Sequence, residues 1–560
     1  MDLVQPRSFL KKNHRAIFYL SWLILGLIQA GLTELQDDEA YYWVYSKYLD
    51  WGYFDHPPMT GLLVKMGYAI FPNELGVRLF PLLLNVFSLV IIEKLIINKN
   101  HFLFYTIALS VAVLQLTGFV AVPDIPLIFF TALFFYCYKN FTRRFTLLNT
   151  FLLGVAIALL FYSKYHALLI VIFTLLSNIK LFTKYQTYLA GIIALLIFLP
   201  HLWWQYQHDW VSLRYHLLES NVNPYKPSFT SDYILGQLLI PGPLAGIILL
   251  PAAFLYKPIN ATEKALRYTM IGIYAFFLLS SFRGRVEANW TSPVLVSLFI
   301  LSHQYLNQKL SWQKFLFRLL PFTLLLVLFA RIAIIVDILP VKEIKSRYHS
   351  WEKWPQELKQ RTGGLPVVFI NSYQRASKYW FYSGQTTYSQ NWYRERRNNY
   401  NFWPIEDSML ARPAWVFNTY GLSRYPDSLQ TPIGWIGYRY EPVMLSFAKV
   451  QIACTPGKIR LKAGEDLILH CRFEIPEHYS YVIRSQPELN DSTRVGVFKK
   501  GGWVADLSTP FTLKQMSEEK QASLNLPMSL PKGKYYLRFT IQSGDGIPTH
   551  NSDKIEMLIE

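Results

Sequence analysis

The chain has 560 residues, of which 52% are hydrophobic, 16% aromatic and only 16% charged. An average soluble domain has about 25% charged residues, so this composition argues against an ordinary soluble enzyme and favours a membrane protein. The net charge of +18 does not indicate nucleic-acid binding, because membrane proteins concentrate Lys and Arg in their inner loops. We therefore expect membrane lipids, and no nucleic acid, among the partners.

Apolar runs of membrane length occupy the first 340 residues. Five are uncharged and close to the roughly 20 residues that a membrane-spanning helix needs, and they lie at 16–33, 102–123, 145–162, 185–204 and 233–256. Weaker runs, which are shorter or carry a charge such as Arg331, lie at 79–92, 125–138, 166–179, 268–282, 291–307 and 319–336. The pattern predicts a polytopic α-helical membrane protein with about eleven spans.

The loop charges predict the orientation of these spans. With a cytoplasmic N-terminus, the inner loops carry 17 Lys and Arg residues and the outer loops carry 6, which is the positive-inside pattern. We therefore expect a multi-pass protein of the cytoplasmic (inner) membrane whose C-terminal region, after about residue 340, is extracytoplasmic. Residues 1–33 also fit a cleaved signal peptide, which is the alternative for this segment.

The first outer loop combines acidic, aromatic and proline residues. In "DDEAYYWVYSKYLDW", residues 37–51, helical spacing predicts an amphipathic helix at the membrane interface, and acidic side chains at its start also favour a helix N-terminus. In "DHPPM", residues 55–59, Pro57 and Pro58 exclude helix locally, force an extended chain and hold Asp55 and His56 on a stiff turn.

Further charged residues lie in the other predicted outer turns. They are Asp124 in "VPDIP", Lys164 in "SKYH", and Arg283, Arg285 and Glu287 in "SFRGRVEANW". Charges near the membrane are costly, so they are candidates for a functional cavity. Lys164 as a snorkelling anchor and Arg283 as an interfacial anchor are the structural alternatives.

This combination of charges suits group transfer from a phosphate-bearing lipid. Cations neutralise a departing phosphate, and a carboxylate acts as general base for an incoming hydroxyl. A neutralised phosphate leaves without a second acid, unlike the leaving oxygen of a glycosidase substrate.

The last 220 or so residues lack runs of membrane length. "LPVVFINSYQRASKYWFYSG", 365–384, predicts a strand, a short helix and a Gly stop, so 340–440 is predicted to be α/β. Alternating patterns from about 445 predict a β-sandwich over 441–560. Cys454 and Cys471 lie on two of these strands, where a disulfide and two unpaired buried cysteines are both plausible.

The order "DDEAYYW", "LDWGYFDHPPM", "GVRLFP", "VPDIPL", "SKYHALL", "GQLLIPGPL" and "RGRVEANWTSP" resembles the family 39 type of bacterial membrane glycosyltransferases. These are relatives of dolichyl-phosphate-mannose protein mannosyltransferases and of the lipid A aminoarabinose transferase, and they have the GT-C fold. The resemblance covers about residues 10–310, which would make 1–339 the glycosyltransferase domain, and "RRNNYNFWP", 396–404, resembles a motif of the family's outer tail.

The resemblance implies a polyprenyl-phosphate-linked sugar as donor and an essential acidic residue in the first outer loop. Matched by motif, Asp38 would be the catalytic carboxylate beside Glu39, and Asp124 the second acidic position. Asp55 and His56 match the residues before the family's Pro-Pro pair and would bind donor or substrate. By their position and charge, and not by a family motif, Lys164, Arg283, Arg285 and Glu287 would also bind the donor phosphate or substrate. A single displacement predicts inversion at the sugar.

Three features stay open at this stage. The acceptor is a lipid, a polysaccharide or a protein, and the sugar is not specified. No cofactor is certain, although Asp38, Asp124 and His56 could hold a divalent metal. A transporter or flippase of lipid-linked sugars is the alternative function, although such proteins usually have two related halves and no internal repeat occurs here.

Overall fold

The computed structural model describes residues 6–219, 224–418, 425–486, 489, 491–500, 502–544 and 546–560. The chain divides into two compact units, with the boundary between His349 and Ser350. The first unit is helical and the second contains all the strands of the described residues. The three predicted domain ranges, 1–339, 340–440 and 441–560, stay predictions.

The helical unit contains α-helices joined by short turns. In chain order they are α1 Pro6–Leu32, α2 Asp37–Lys47, α3 Met59–Ile70, α4 Glu74–Leu95, α5 His101–Ser110, α6 Ala112–Thr117, α7 Asp124–Arg143, α8 Leu147–Ser163, α9 Ala167–Ser177, α10 Tyr185–Gln207, α11 Val211–Arg214, α12 Pro227–Leu239, α13 Gly246–Leu255, α14 Ala261–Ser281, α15 Val294–Gln308, α16 Leu310–Ile335 and α17 Lys342–Tyr348.

Side-chain caps fix where several of these helices begin. Asn73 accepts a hydrogen bond from the backbone N–H of Gly76 at the start of α4, and Asn260 accepts one from Glu263 at the start of α14. Such caps satisfy donors that a helix N-terminus leaves unpaired.

Five helices in the described part of the chain are long and apolar enough to cross a membrane: Lys12–Leu32, Glu74–Leu95, Asp124–Arg143, Tyr185–Gln207 and Leu310–Ile335. Shorter apolar helices, of 10–17 residues, include α3, α5, α8, α9 and α13. The predicted polytopic helical architecture is therefore present, whereas the number of eleven spans stays a prediction.

Two of the five uncharged runs are not single helices. The run at 102–123 is divided at Val111 into α5 and α6. The run at 233–256 is divided between α12 and α13, where Pro241, Gly242 and Pro243 stand. Gly242 has φ of +111°, and its missing Cβ would lie 2.4 Å from the carbonyl oxygen of Ser110. The apolar composition of a run does not reveal a break in its helix. Membrane proteins tolerate such a break where other groups replace the lost helical hydrogen bonds.

The structure corrects the predicted character of the first loop. Every residue of α2 from Glu39 to Ser46 is buried, so this helix lies inside the unit and is not an amphipathic helix at the interface. The extended chain predicted after the Pro-Pro pair is also not present, because α3 begins directly after Pro58. Proline favours the first turn of a helix, where its missing N–H costs nothing.

The second unit begins with a mixed sheet of five strands in the order β2-β1-β3-β5-β4, in which β1 is parallel to β2 and β3. The strands are β1 Val367–Ile370, β2 Thr387–Gln390, β3 Ala414–Asn418, β4 Asp427–Thr431 and β5 Gly434–Glu441. The helices are α18 Trp354–Arg361, α19 Tyr373–Ser383 and α20 Ile405–Met409. As predicted, α19 follows β1 and ends before Gly384, which has φ of +68°.

Two further sheets of the second unit share one apolar core. Their orders are β10-β9-β12-β13-β7 and β11-β8-β6. The strands are β6 Gln451–Thr455, β7 Lys458–Leu461, β8 Leu467–Glu474, β9 Asp491–Lys499, β10 Gly502–Ser508, β11 Gln521–Leu526, β12 Gly533–Ser543 and β13 Ile555–Ile559, with α21 Glu477–Ser485 and α22 Leu513–Glu519 between strands. Cys454 lies opposite Cys471, and the two form a disulfide.

Candidate active site

Glu39 is fully buried in the first turn of α2. Its carboxylate accepts hydrogen bonds from Nε and Nη2 of Arg78, at 2.8 and 2.6 Å, and from the backbone N–H groups of Ala121 and Gln36, each at 2.9 Å. A carboxylate has about four acceptor positions, so these four bonds saturate Glu39. Ala121 lies three residues before Asp124, and Glu39 thus connects the first turn of α2, which contains Asp38, to the segment just before α7, which begins at Asp124.

Arg78, on α4, is also fully buried. Beyond its bidentate contact with Glu39, it donates to three backbone carbonyls that follow or end α1, those of Ala30, Thr33 and Glu34. The pair therefore joins α1, α2, α4 and the segment before α7. Removing one partner of a buried, fully hydrogen-bonded ion pair strongly destabilises a fold, because the other charge is left uncompensated.

A second buried pair lies where α7 begins and α8 ends. Lys164 donates to Oδ1 of Asp124 at 2.9 Å. Ser292 donates to the same oxygen at 2.8 Å, and Asn289 donates to Oδ2 at 3.0 Å. The network thus brings together the predicted site residues Asp124 and Lys164 with Asn289 and Ser292. The last two lie in the segment "RVEANWTSP" and were not predicted to belong to the site.

The loop that carries Asp55 and His56 is anchored by side chains of α10, α11 and the turn after α11. Each anchor is a hydrogen bond: Trp204 Nε1 to Asp50 Oδ2 at 2.8 Å, His201 Nδ1 to the Trp51 carbonyl at 2.7 Å, Ser212 Oγ to the Tyr53 carbonyl at 2.8 Å, and His216 Nε2 to the Asp55 carbonyl at 3.1 Å. The loop conformation is therefore set by residues about 150 positions later in the chain.

Asp55 is buried, and the hydroxyl of Tyr45 donates to its Oδ1. Burial raises the pKa of Tyr45, and the neighbouring Asp55 charge acts in the same direction. Tyr45 is therefore a neutral hydrogen-bond donor near neutral pH. Its position on α2 ties the "DHPPM" loop to the helix that carries Asp38.

His56 lies within electrostatic range of both charged residues of the second pair. Burial lowers the pKa of His56 to about 4; Asp55 opposes this shift, while Lys164 and His216 reinforce it. Its Nδ1 is buried without a hydrogen-bond partner among the described residues. The imidazole is thus neutral at pH 7 and can donate or accept a hydrogen bond without adding charge.

The remaining predicted site residues are exposed. Asp38 lies beside Glu39 in the first turn of α2 and is exposed. Arg285 forms an ion pair with Glu287 at 3.0 Å, with side chains 69% and 51% exposed. Arg283 makes no side-chain hydrogen bond or ion pair with the described residues. The structure therefore separates the predicted set into buried residues with fixed partners and an exposed group.

Sequence reasoning assigned no role to Arg78, Asn289, Ser292 or Tyr45. The sequence signal that could have identified Arg78 is its position within the apolar helix "GVRLFPLLL", because a charge there needs a buried partner. Asn, Ser and Tyr give no comparable signal, since all three are common in ordinary polar positions.

Comparison with known proteins identifies the relatives of this helical unit. Residues 55–204 match the family described as dolichyl-phosphate-mannose-protein mannosyltransferase. The chain is similar to that family over this part of its length. The match includes Asp55, His56, Asp124 and Lys164, whereas Asp38, Glu39 and the arginines near 283 lie outside it.

Two curated proteins are also similar to this chain. Lipid A galacturonosyltransferase RgtD of Rhizobium johnstonii is 24% identical over 315 residues, which are 52% of this chain and 64% of that protein. An uncharacterized protein of Aquifex aeolicus is 38% identical over 95 residues, which are 16% of this chain and 19% of that protein. The matched region thus spans less than two thirds of either relative.

The fold resembles that of ArnT from Cupriavidus metallidurans. The crystal structure bound to undecaprenyl phosphate matches with a TM-score of 0.57 and the apo structure with 0.58. Both have 13% sequence identity, and both matches cover 76% of this chain and 98% of ArnT. At this identity the likeness shows a shared GT-C membrane fold.

No group of three or more His, Cys, Asp or Glu side chains among the described residues is arranged to hold a metal ion. The donor set of Asp38, Asp124 and His56 that suggested a divalent metal does not form such a group. Asp124 instead has a Lys, a Ser and an Asn as its hydrogen-bond donors.

Proposed function

We propose that this protein is a membrane glycosyltransferase that moves a sugar from a polyprenyl-phosphate donor to an acceptor at the outer face of the cytoplasmic membrane. The observation that carries the proposal is the buried Asp124–Lys164 pair, within a helical unit that has the fold of a protein crystallised with undecaprenyl phosphate. The named activity of RgtD, transfer to lipid A, supports a lipid acceptor over a polysaccharide or a protein.

In the proposed reaction, an acceptor hydroxyl or amine attacks the anomeric carbon of the donor sugar. The carbon–oxygen bond to phosphate breaks, and the electron pair leaves with the polyprenyl phosphate. Asp38 takes the proton of the attacking group, because it is an exposed carboxylate whose neighbour Glu39 is saturated by hydrogen bonds. One displacement inverts the anomeric configuration.

Cations near Asp124 and in the segment before α15 neutralise the charge of the leaving phosphate. Lys164, held by Asp124, is the buried candidate, and Arg283 and Arg285 are exposed candidates on the segment whose Asn289 reaches Asp124. Fixed cations near a developing phosphate charge lower the barrier more effectively than mobile ones. Asp55 and neutral His56 then form the polar wall beside Lys164, and Glu287 sets the orientation of Arg285.

This proposal gives Glu39 and Asp124 positioning roles beside the catalytic Asp38. The carboxylate of Glu39 has no acceptor position left for a substrate proton, because it already receives four N–H groups. Asp124 contacts the cation that would meet the phosphate, so its carboxylate holds Lys164 in place.

The test measures sugar transfer by the full-length protein in lipid bilayers, with labelled undecaprenyl-phosphate sugars as donors and a membrane extract as acceptor. Wild type is expected to turn over one donor and give a product of inverted configuration. Asp38→Asn is expected to reduce turnover at least about 100-fold with donor binding retained. Asp232→Asn, which changes an exposed carboxylate on α12, is the matched control and should keep wild-type turnover.

Two results would overturn parts of the proposal. A product with retained configuration contradicts the single displacement. Movement of a lipid-linked sugar across the vesicle membrane without turnover, and unaffected by Asp38→Asn, contradicts the enzyme and favours a flippase.

A further inference from the structure

Lysines gather at one end of the five-stranded sheet of the sandwich. Lys499 is the last residue of β9 and Lys500 follows it, while Lys532 precedes the antiparallel neighbour β12 and Lys534 is its second residue. The register pairs Phe498 with Tyr536, so continuing it by two residues places Lys500 beside Lys534. The sheet geometry therefore brings together four cations, two from the end of β9 and two from the start of β12.

Two apolar side chains stand at the same end. Trp503 and Val504, in β10, are 44% and 39% exposed. Successive residues of a regular strand point to opposite faces, but the pairing of β10 with β9 shifts between Trp503 and Ala505. Such a bulge on an edge strand redirects side chains. We call Lys499, Lys500, Trp503, Val504, Lys532 and Lys534 the lysine–tryptophan end.

The tryptophan is held in place by its neighbours. The guanidinium of Arg394 lies 3.7 Å from the Trp503 ring centre, and Trp503 Nε1 donates to Asp506 at 2.9 Å. Asp506 also accepts from Arg394 and Tyr393. This carboxylate is therefore paired with Arg394, Tyr393 and Trp503, and it forms no ion pair with any of the four lysines among the described residues.

The lysines have few compensating charges. Lys500, Lys532 and Lys534 have no side-chain hydrogen bond or ion pair with the described residues, while Lys499 lies 4.7 Å from the Tyr535 ring centre. The pairing of Gly533 with Ile559 places Glu560 next to Lys532, as the nearest acidic residue by register. The end thus keeps a clear positive excess beside an exposed apolar pair.

We infer that the lysine–tryptophan end binds anionic lipid headgroups at a bilayer surface. Clustered lysines are attracted by anionic headgroups, and an exposed Trp beside an aliphatic side chain suits the boundary between headgroups and acyl chains. Only residues 336–349 separate the end of α16 from the second unit. This unit consequently stays within reach of the membrane, which raises the effective concentration of lipid at its surface. The inference does not depend on the proposed enzymatic function.

The test uses the full-length protein in nanodiscs, with an environment-sensitive fluorophore on Val504→Cys in a Cys137→Ser background. In discs of phosphatidylcholine with about 30% phosphatidylglycerol, we expect a blue shift and quenching by brominated lipid. Discs of phosphatidylcholine alone should give at least about threefold less quenching, and 0.5 M NaCl should weaken the effect because salt screens exposed charges.

Charge reversal separates specific contact from general proximity. Lys500→Glu with Lys534→Glu should abolish the lipid-dependent quenching, while Lys462→Glu with Lys514→Glu, exposed lysines elsewhere in the sandwich, should keep it. Unchanged thermal unfolding will show that both double variants fold. Equal quenching in the two lipid mixtures would overturn the inference. So would a fluorophore that responds to a soluble anionic polysaccharide and not to phosphatidylglycerol, since this result makes the end a glycan site.

Discussion

Two buried pairs of a carboxylate and a cation lie in the helical unit, and their surroundings differ. Both side chains of Glu39–Arg78 have zero exposure, and the pair forms hydrogen bonds with backbone groups of five residues, beside a contact of Arg78 with the Phe119 ring. Lys164 and Asp124 are 8% and 11% exposed, and their partners are polar side chains of the "RVEANWTSP" segment. Backbone partners fix the path of the chain, whereas side-chain partners can rearrange around a ligand. We therefore propose that the first pair stabilises the fold and that the second binds the donor.

Arg78→Met gives the largest expected effect, because it leaves the buried Glu39 charge and three carbonyls without their donor. Loss of one partner of a buried pair costs about 3–5 kcal/mol. We expect the variant to accumulate poorly and to unfold at lower temperature in detergent. Lys65→Met, an exposed cation on α3, is the control. A variant as stable as wild type would show that Arg78–Glu39 does not hold the helices together.

Lys164→Met is expected to act mainly on activity. Removing the buried cation should lower sugar transfer at least about 100-fold and weaken donor binding, while the Asp124 contacts with Ser292 and Asn289 preserve most of the fold. Lys164→Arg should recover part of the transfer because the charge is restored. Equal loss of transfer and of thermal stability, without rescue by Arg, would make the second pair structural like the first.

The lowered pKa of His56, which lies near the second pair, predicts that the stability of the protein depends on pH. Its pKa is about 4 in the folded protein and about 6.5 when unfolded. Between these values the unfolded state binds the proton and the folded state does not, so stability is full above pH 6.5 and falls as the pH drops towards 4. Relative to His56→Gln, wild type should lose about 2–3 kcal/mol between pH 7 and pH 4.

Unfolding midpoints across this pH range give the measurement. His208→Gln, on the neighbouring segment, serves as the control. Parallel pH profiles for wild type and His56→Gln would exclude His56 as the source of the acid sensitivity.

The exposed pair Arg285–Glu287 provides the smallest expected effect. Exposed ion pairs contribute about 0–1 kcal/mol, so Glu287→Gln should leave the unfolding temperature almost unchanged. If Arg285 meets the donor phosphate, the same variant changes KM for the donor and leaves kcat nearly constant. An unchanged KM would remove Glu287 and Arg285 from the donor site.

The fold was predictable wherever a pattern is local. The strand and helix at 365–384, strand β8 and the β9–β10 pair follow from side-chain periodicity and turn residues, and the glycine at 384 predicts where the helix ends, as its positive φ confirms. The breaks at Val111 and before α13 were not predictable from apolar content, because that content measures transfer into lipid and not the continuity of a helix.

The sequence by itself determined that Asp38, Glu39 and Asp124 are unusual residues in this chain, since charge beside apolar helices is costly wherever it lies. Only the tertiary structure decided how they differ, because hydrogen-bond saturation depends on partners brought in from distant segments. Arg78 lies 39 positions from Glu39, and Asn289 lies 165 positions from Asp124. The buried character of α2 has the same origin, as its surroundings come from helices that the local pattern does not specify.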